Sequence, residues 1–144
     1  MKLFIDCEWT DENGELISMA LVPEDASIKN FYEVLEFSVH ICHPWVRENV
    51  VPIINREPIS KSMFEQRLTA YLCQFSDITI IADWPEDIAW FCRSLITGPG
   101  LRIVCPPLKM EICDISGDSL QPHNALWDAL ANRDAYEEKY GKQQ

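Results

Sequence analysis

The stretch KLFIDCEWTDENGELISMALV, residues 2–22, constrains the fold more than any other part of the chain. Residues 3–5 and 16–22 are apolar runs of strand character, and DENG at 11–14 is a turn signal. Residues 2–9 and 15–22 are therefore predicted to form a β-hairpin. Two carboxylates interrupt the first strand. Side chains alternate along a strand, so Asp6 and Glu8 share a face, roughly 6.5–7 Å apart along the backbone. Like charges so placed repel, and they lose hydration as the strand is buried. Folding alone gives no reason for the pair.

The rest of the chain reads as alternating elements. FYEVLEF (31–37) is a third strand candidate, and HPWVRENVVPII (43–54) a short helix stopped by Pro52. A helix is expected over 62–75, with Ser62 and Glu65 as a capping box and Phe64, Leu68, Leu72 and Phe75 as its apolar stripe. DITIIAD (77–83) reads as a buried strand. It leads into WPEDIAWFCRSLI, where Ile88, Phe91, Cys92 and Leu95 recur at helical spacing, and GPG at 98–100 ends that helix. LRIVC (101–105) is a further strand candidate, and a last helix is expected from about 124 to 139, with Leu126 and Leu130 buried. Strands first, then alternating helices and strands, predict an α/β fold, a mixed sheet flanked by helices, in one domain over 1–144.

Charge limits the partners. The formal net charge is −11, which opposes a broad nucleic-acid-binding surface, since such surfaces neutralise phosphates with Lys and Arg. It leaves room for a small site in which divalent cations supply the positive charge. No apolar run approaches the ~20 residues that span a bilayer, so no membrane partner is expected. The N-terminus lacks a secretory signal's apolar region and cleavage site, which makes a cytoplasmic location the expectation. The cysteines at 7, 42, 73, 92, 105 and 113 show no C-x-x-C spacing. They read as buried reduced thiols in preference to a zinc site.

Further acidic residues then stand out. In ADWPED, Asp83 sits where a helix cap belongs, with Pro85 in the first turn and Glu86 three residues on. Asp83 thus reads first as a cap. Asp87, one turn in and beside Ile88, is either a carboxylate complementing the helix dipole or a ligand. Asp128, in PHNALWDALA, is rotated away from Leu126 and Leu130 and has Ala125 and Ala131 three residues to either side. That small face either approaches another element or is exposed. His123 precedes the same helix, as a surface or capping residue or as a proton acceptor. Together these residues suit two-metal phosphoryl chemistry. Oxygen-only ligands select Mg²⁺ or Mn²⁺, two such ions about 3.5–4 Å apart clamp an in-line displacement, and a histidine of pKa near 6.5 can take the proton of the attacking water.

FIDCEW, ADWPEDIAWF and HNALWDA resemble, in this order, the three motifs of DEDDh-type 3′–5′ exonucleases, which have an RNase H-like fold. The family's motifs are D-x-E on the first strand, an Asp at a strand-to-helix junction, and H-x-A-x-x-D. The matches span residues 4–129. FIDCEWTDENGELISMALVPED and PWVRENVVPII are similar to segments of the polyadenylate-specific ribonuclease AS subgroup. The resemblance implies that Asp6, Glu8, Asp87 and Asp128 hold two divalent cations, Mg²⁺ or Mn²⁺, with Asp6 bridging both, and that His123 is the general base. It implies hydrolysis of single-stranded nucleic acid, RNA in the first instance, from the 3′ end to 5′-mononucleotides, and a homodimer. Trp9 and Trp84 flank the carboxylates, as base-stacking platforms or as core packing. Two other functions fit the same residues: a 3′–5′ DNA exonuclease, and a non-catalytic module binding nucleic acid or protein, which would have no need of all five residues.

Overall fold

The computed structural model describes residues 1–141. The predicted hairpin is present: β1 (Lys2–Trp9) and β2 (Leu16–Pro23) pair antiparallel. Its turn is closed by Thr10 N–H on Glu15 O at 2.9 Å and Gly14 N–H on Asp11 O at 2.8 Å. A Cβ at Gly14 would collide with Thr10 Oγ1, which reserves the position for glycine. The register shifts between Glu8 and Trp9, where Ser18 pairs with Glu8 and Leu16 with Trp9, so Ile17 of β2 is the extra residue of a β-bulge.

β3 (Phe31–Val34) pairs antiparallel with β2 and is shorter than expected. The chain leaves the sheet after Val34, keeping one bridge between Leu35 and Ile59. α1 (Pro44–Asn49) is followed by a 3-10 turn over Val51–Ile53. Pro52 belongs to the start of that turn, where its missing N–H costs nothing. α2 (Lys61–Leu72) is capped by Ser60, not Ser62: the Ser60 hydroxyl accepts the Met63 N–H at 3.2 Å. Phe64, Leu68 and Leu72 are buried as expected, and Phe75 packs on the core from beyond the helix end.

β4 (Ile78–Ala82) runs parallel to β1 and leads into α3 (Pro85–Ser94). The buried positions of α3 are Asp87, Trp90 and Phe91, whereas Cys92 is exposed, so its inner face lies one residue from the expected stripe. β5 (Ile96–Gly98) and β6 (Leu101–Arg102) form a separate small hairpin. The segment 101–105 therefore adds no strand to the main sheet. That place goes to β7 (Leu108–Ile112), parallel to β4. α4 (Ala125–Tyr140) packs on β1 and β2.

The main sheet has the order β3-β2-β1-β4-β7. The alternation of β1 sends Leu3, Ile5 and Cys7 into a core with α2 and α3, and Phe4 into a second core with Ala125 and Ala129 of α4. All six cysteines are free, but only Cys7 and Cys42 are buried. No helix among the described residues is long and apolar enough to cross a membrane.

Candidate metal centre

The ladder between β1 and β4 joins Lys2–Phe4 to Thr79–Ile81 and then stops. Beyond it the strands part, and the first turn of α3 fills the gap. There the Cys7 N–H donates to Asp87 Oδ1 at 2.9 Å. Asp87 is 2% exposed, so it is a carboxylate drawn into the sheet and not an exposed partner of the helix dipole.

The third motif arrives from the opposite layer. Asn124 caps α4, accepting the Leu126 and Trp127 N–H groups, while its Nδ2 donates to Ile53 O at 3.2 Å and to the Tyr32 hydroxyl at 3.4 Å. Ala125 and Ala129 are fully buried and let α4 lie close on the sheet. Leu126 and Leu130, expected on the buried stripe, are only half-buried. The small alanine face is the inner one, and it brings half-buried Asp128 toward β1. His123 has φ 70°, and its N–H donates to Asp128 Oδ2 at 3.1 Å. Its ring meets Trp45 edge to face, with centroids 4.8 Å apart.

These elements assemble two acidic triads that share Asp6. One is Asp6, Asp83 and Asp87; the other is Asp6, Glu8 and Asp128. Within each triad one oxygen per residue lies within 4.8 Å of the others. Asp6 Oδ2 is buried and has no hydrogen-bond partner. A buried carboxylate oxygen without a donor is costly, and a cation removes that cost. The donors are oxygens only, the set that hard divalent cations prefer. The triads therefore fit two such ions, with Asp6 in both.

The electrostatics carry the same message. Burial pushes the Asp6 carboxyl well above its ordinary range, and the Asp87, Glu8, Asp128 and Asp83 charges add to the rise. Glu8 is pushed up to about 9 by burial and then by Asp128 and Asp87. Asp87 reaches about 8, through burial and its acidic neighbours, although the Cys7 N–H bond works against the rise. Asp83 and Asp128 are also raised, burial first. For Asp128, hydrogen bonds from Ser119 and His123 offset part of the effect. Without bound cations, burial and mutual repulsion favour the protonated forms of these groups.

Asp83 does not cap α3. The cap position belongs to Trp84, whose side chain makes no capping bond, and Asp83 Oδ1 accepts instead from Asn132 Nδ2 at 3.1 Å. Trp84 is 56% exposed and donates its indole N–H to Glu86 at 3.1 Å. Trp9 is half-buried and packs on Trp90 with centroids 6.2 Å apart. It also lines a groove of about 210 Å³ with Glu8, His43 and Trp45. Trp45, Ser119 and Asn132 are contacts that sequence patterning missed. Trp45 and Asn132 act on His123 and Asp83 from distant segments, and Ser119 acts on Asp128 from the loop before α4, where no local spacing reports it.

No family model matches the chain, and no curated protein matches it.

Proposed function

We propose that this chain is a two-metal 3′–5′ exoribonuclease of RNase H-like fold, releasing 5′-mononucleotides from the 3′ end of single-stranded RNA. The observation that carries the reading is the pair of acidic triads meeting at Asp6, whose buried Oδ2 lacks any donor. The mixed sheet with helices on both faces is compatible with that fold. The order of the three motifs along the chain supports the exonuclease assignment.

Asp6, Glu8 and Asp128 would hold one cation and Asp6, Asp83 and Asp87 the other, so Asp83 joins the ligand set and is no cap. Two Mg²⁺ or Mn²⁺ ions held there would stabilise the attacking and leaving oxygens of the phosphodiester. The chain's own residues do the rest. Cys7 and Asn132 orient Asp87 and Asp83 through hydrogen bonds. The His123 N–H orients Asp128, and the His123 ring, packed against Trp45, would accept the proton of the attacking water. The exposed Trp84 indole beside Asp83 offers a face to a terminal base.

The test is a time course with Mn²⁺ on matched RNA and DNA strands labelled at the 3′ or the 5′ end. The reading requires mononucleotides from the 3′ label at once, and progressive shortening of the 5′-labelled strand. Faster digestion of DNA would transfer the assignment to a DNA exonuclease. No product from either polymer would leave a binding module.

A further inference from the structure

An acidic exonuclease must still hold a polyanion. Among the described residues, four cavities carry an excess of carboxylates, as in the groove beside Glu8, which Asp11 and Glu12 also line. A fifth, of about 770 Å³, is lined by Lys29, Arg56 and Arg67 against the single carboxylate of Glu33. In a chain of net charge −11 this is a local excess of positive charge.

The arrangement leaves donors free. Glu33 is 5% exposed, and Arg56 clamps it through Nε at 3.1 Å and Nη2 at 2.8 Å. Arg67 reaches both oxygens with Nη1 alone, at 3.1 Å. Among the described residues, no acceptor takes Arg67 Nε or Nη2, and no partner takes the exposed Lys29 ammonium. One carboxylate is enough to fix two guanidinium groups in place, but it neutralises only one of them.

The cavity wraps the β3 edge of the sheet: Glu33 and Arg67 lie on the α2 side, and Tyr32 lies on the face that carries Asp6. Tyr32, in its wall, pairs with Ala20 on β2, and Ala20 pairs with Asp6 on β1. Tyr32 is thus two strands from Asp6, about 9–10 Å across the sheet. Its hydroxyl accepts from Asn124, the residue between His123 and α4, and Leu126 of α4 lines the same cavity.

We infer that the Lys29–Arg56–Arg67 cavity is a phosphodiester-binding subsite that holds the RNA strand on the 5′ side of the nucleotide being removed. This rests on the exonuclease reading and adds to it where the strand lies. The acidic remainder of the surface would then repel long polyanions except along this one route. Arg and Lys at fixed positions bind phosphate oxygens without reading sequence, as an enzyme moving along a strand needs.

The variant to make is Lys29→Gln/Arg67→Gln, which leaves the two-point Arg56 clamp on Glu33 intact. Lys29→Gln alone provides a second variant at an exposed side chain. We expect the double variant to lower kcat/KM for a twelve-nucleotide RNA about tenfold relative to kcat/KM for a dinucleotide. Losing two phosphate contacts should also reduce the slope of log Kd against log salt by about 1.4, and the single variant by about 0.7. Binding of the fluorescent twelve-mer, followed by anisotropy, gives that slope whether or not the protein is active. An unchanged salt slope and length ratio in an active enzyme would overturn the subsite and leave the exonuclease reading standing. If no protein is active, a weaker salt slope in the variants supports an RNA-binding cavity, and equal slopes overturn it.

Discussion

Cys7 and Asp87, eighty positions apart, are joined by one hydrogen bond of 2.9 Å at the point where β1 and β4 separate. The bond satisfies a backbone N–H that the sheet has abandoned, and it fixes a carboxylate that belongs to the triad with Asp6 and Asp83. Asp87→Asn keeps an acceptor for that N–H and removes the charge. In EDTA at pH 8 it should therefore be more stable than wild type. Asp87→Ala strands the N–H and should fall below Asp87→Asn by about 1–3 kcal/mol. Urea unfolding of the three proteins measures both differences.

Stability without metal should depend on pH in an unusual direction. Glu8 titrates at about 9 and Asp87 at about 8 in the fold, against ordinary values of 4.5 and 3.8. The folded state holds these protons more tightly than the unfolded chain. The stability they contribute is complete below the unfolded values and is lost as pH rises through the folded ones. Metal-free Tm should thus decline from about pH 5 to about pH 9, and the gain in Tm from saturating Mg²⁺ should grow over the same window. Thermal melts with and without Mg²⁺ check this.

Asp6 belongs to both triads, whereas Glu8 and Asp128 belong to one. Mn²⁺ should therefore raise the Tm of wild type more than that of Asp6→Asn. In a calorimetric titration Asp128→Ala should lose one of two binding events and Asp6→Asn should weaken both. Equal Tm shifts in wild type and Asp6→Asn would place the ion elsewhere.

His123 occupies the left-handed region at φ 70°. Asparagine tolerates that conformation and keeps the backbone bond to Asp128, but it cannot take a proton at neutral pH. His123→Asn should preserve the fold and the Mn²⁺ response while lowering kcat by about 10²–10⁴. Steady-state hydrolysis of a short RNA, with a melt as control, measures it.

Much of this architecture can be read from the residues, and the exceptions share a cause. The hairpin, β4 and the two long helices announce themselves through periodicity and turn chemistry. β7 does not: LKMEI is an edge strand with four exposed residues, so burial left no apolar run to notice. The inner face of α4 carries Ala125 and Ala129 in place of Leu126 and Leu130, the pair expected there because leucine outranks alanine as a core signal in the sequence. Here close approach to β1 and β2 demands the smaller side chain at Ala125 and Ala129. Asp83 looked like a cap because its spacing to Pro85 and Glu86 suits one. Its bond to Asn132, from the last helix, is a tertiary fact with no local trace. Within the candidate site the carboxylates were readable as misfits in their elements. The groups that hold them were not, because backbone N–H donors and a distant tryptophan carry no signature of their own.

The most direct test of the whole account is the release of 5′-mononucleotides from a single-stranded RNA by wild type and by Asp6→Ala, in Mn²⁺ and in EDTA. Wild type should release them in Mn²⁺ and stop in EDTA, and Asp6→Ala should be inactive in both. Release by Asp6→Ala at the wild-type rate, or wild-type release undiminished by EDTA, would contradict a metal centre built on Asp6.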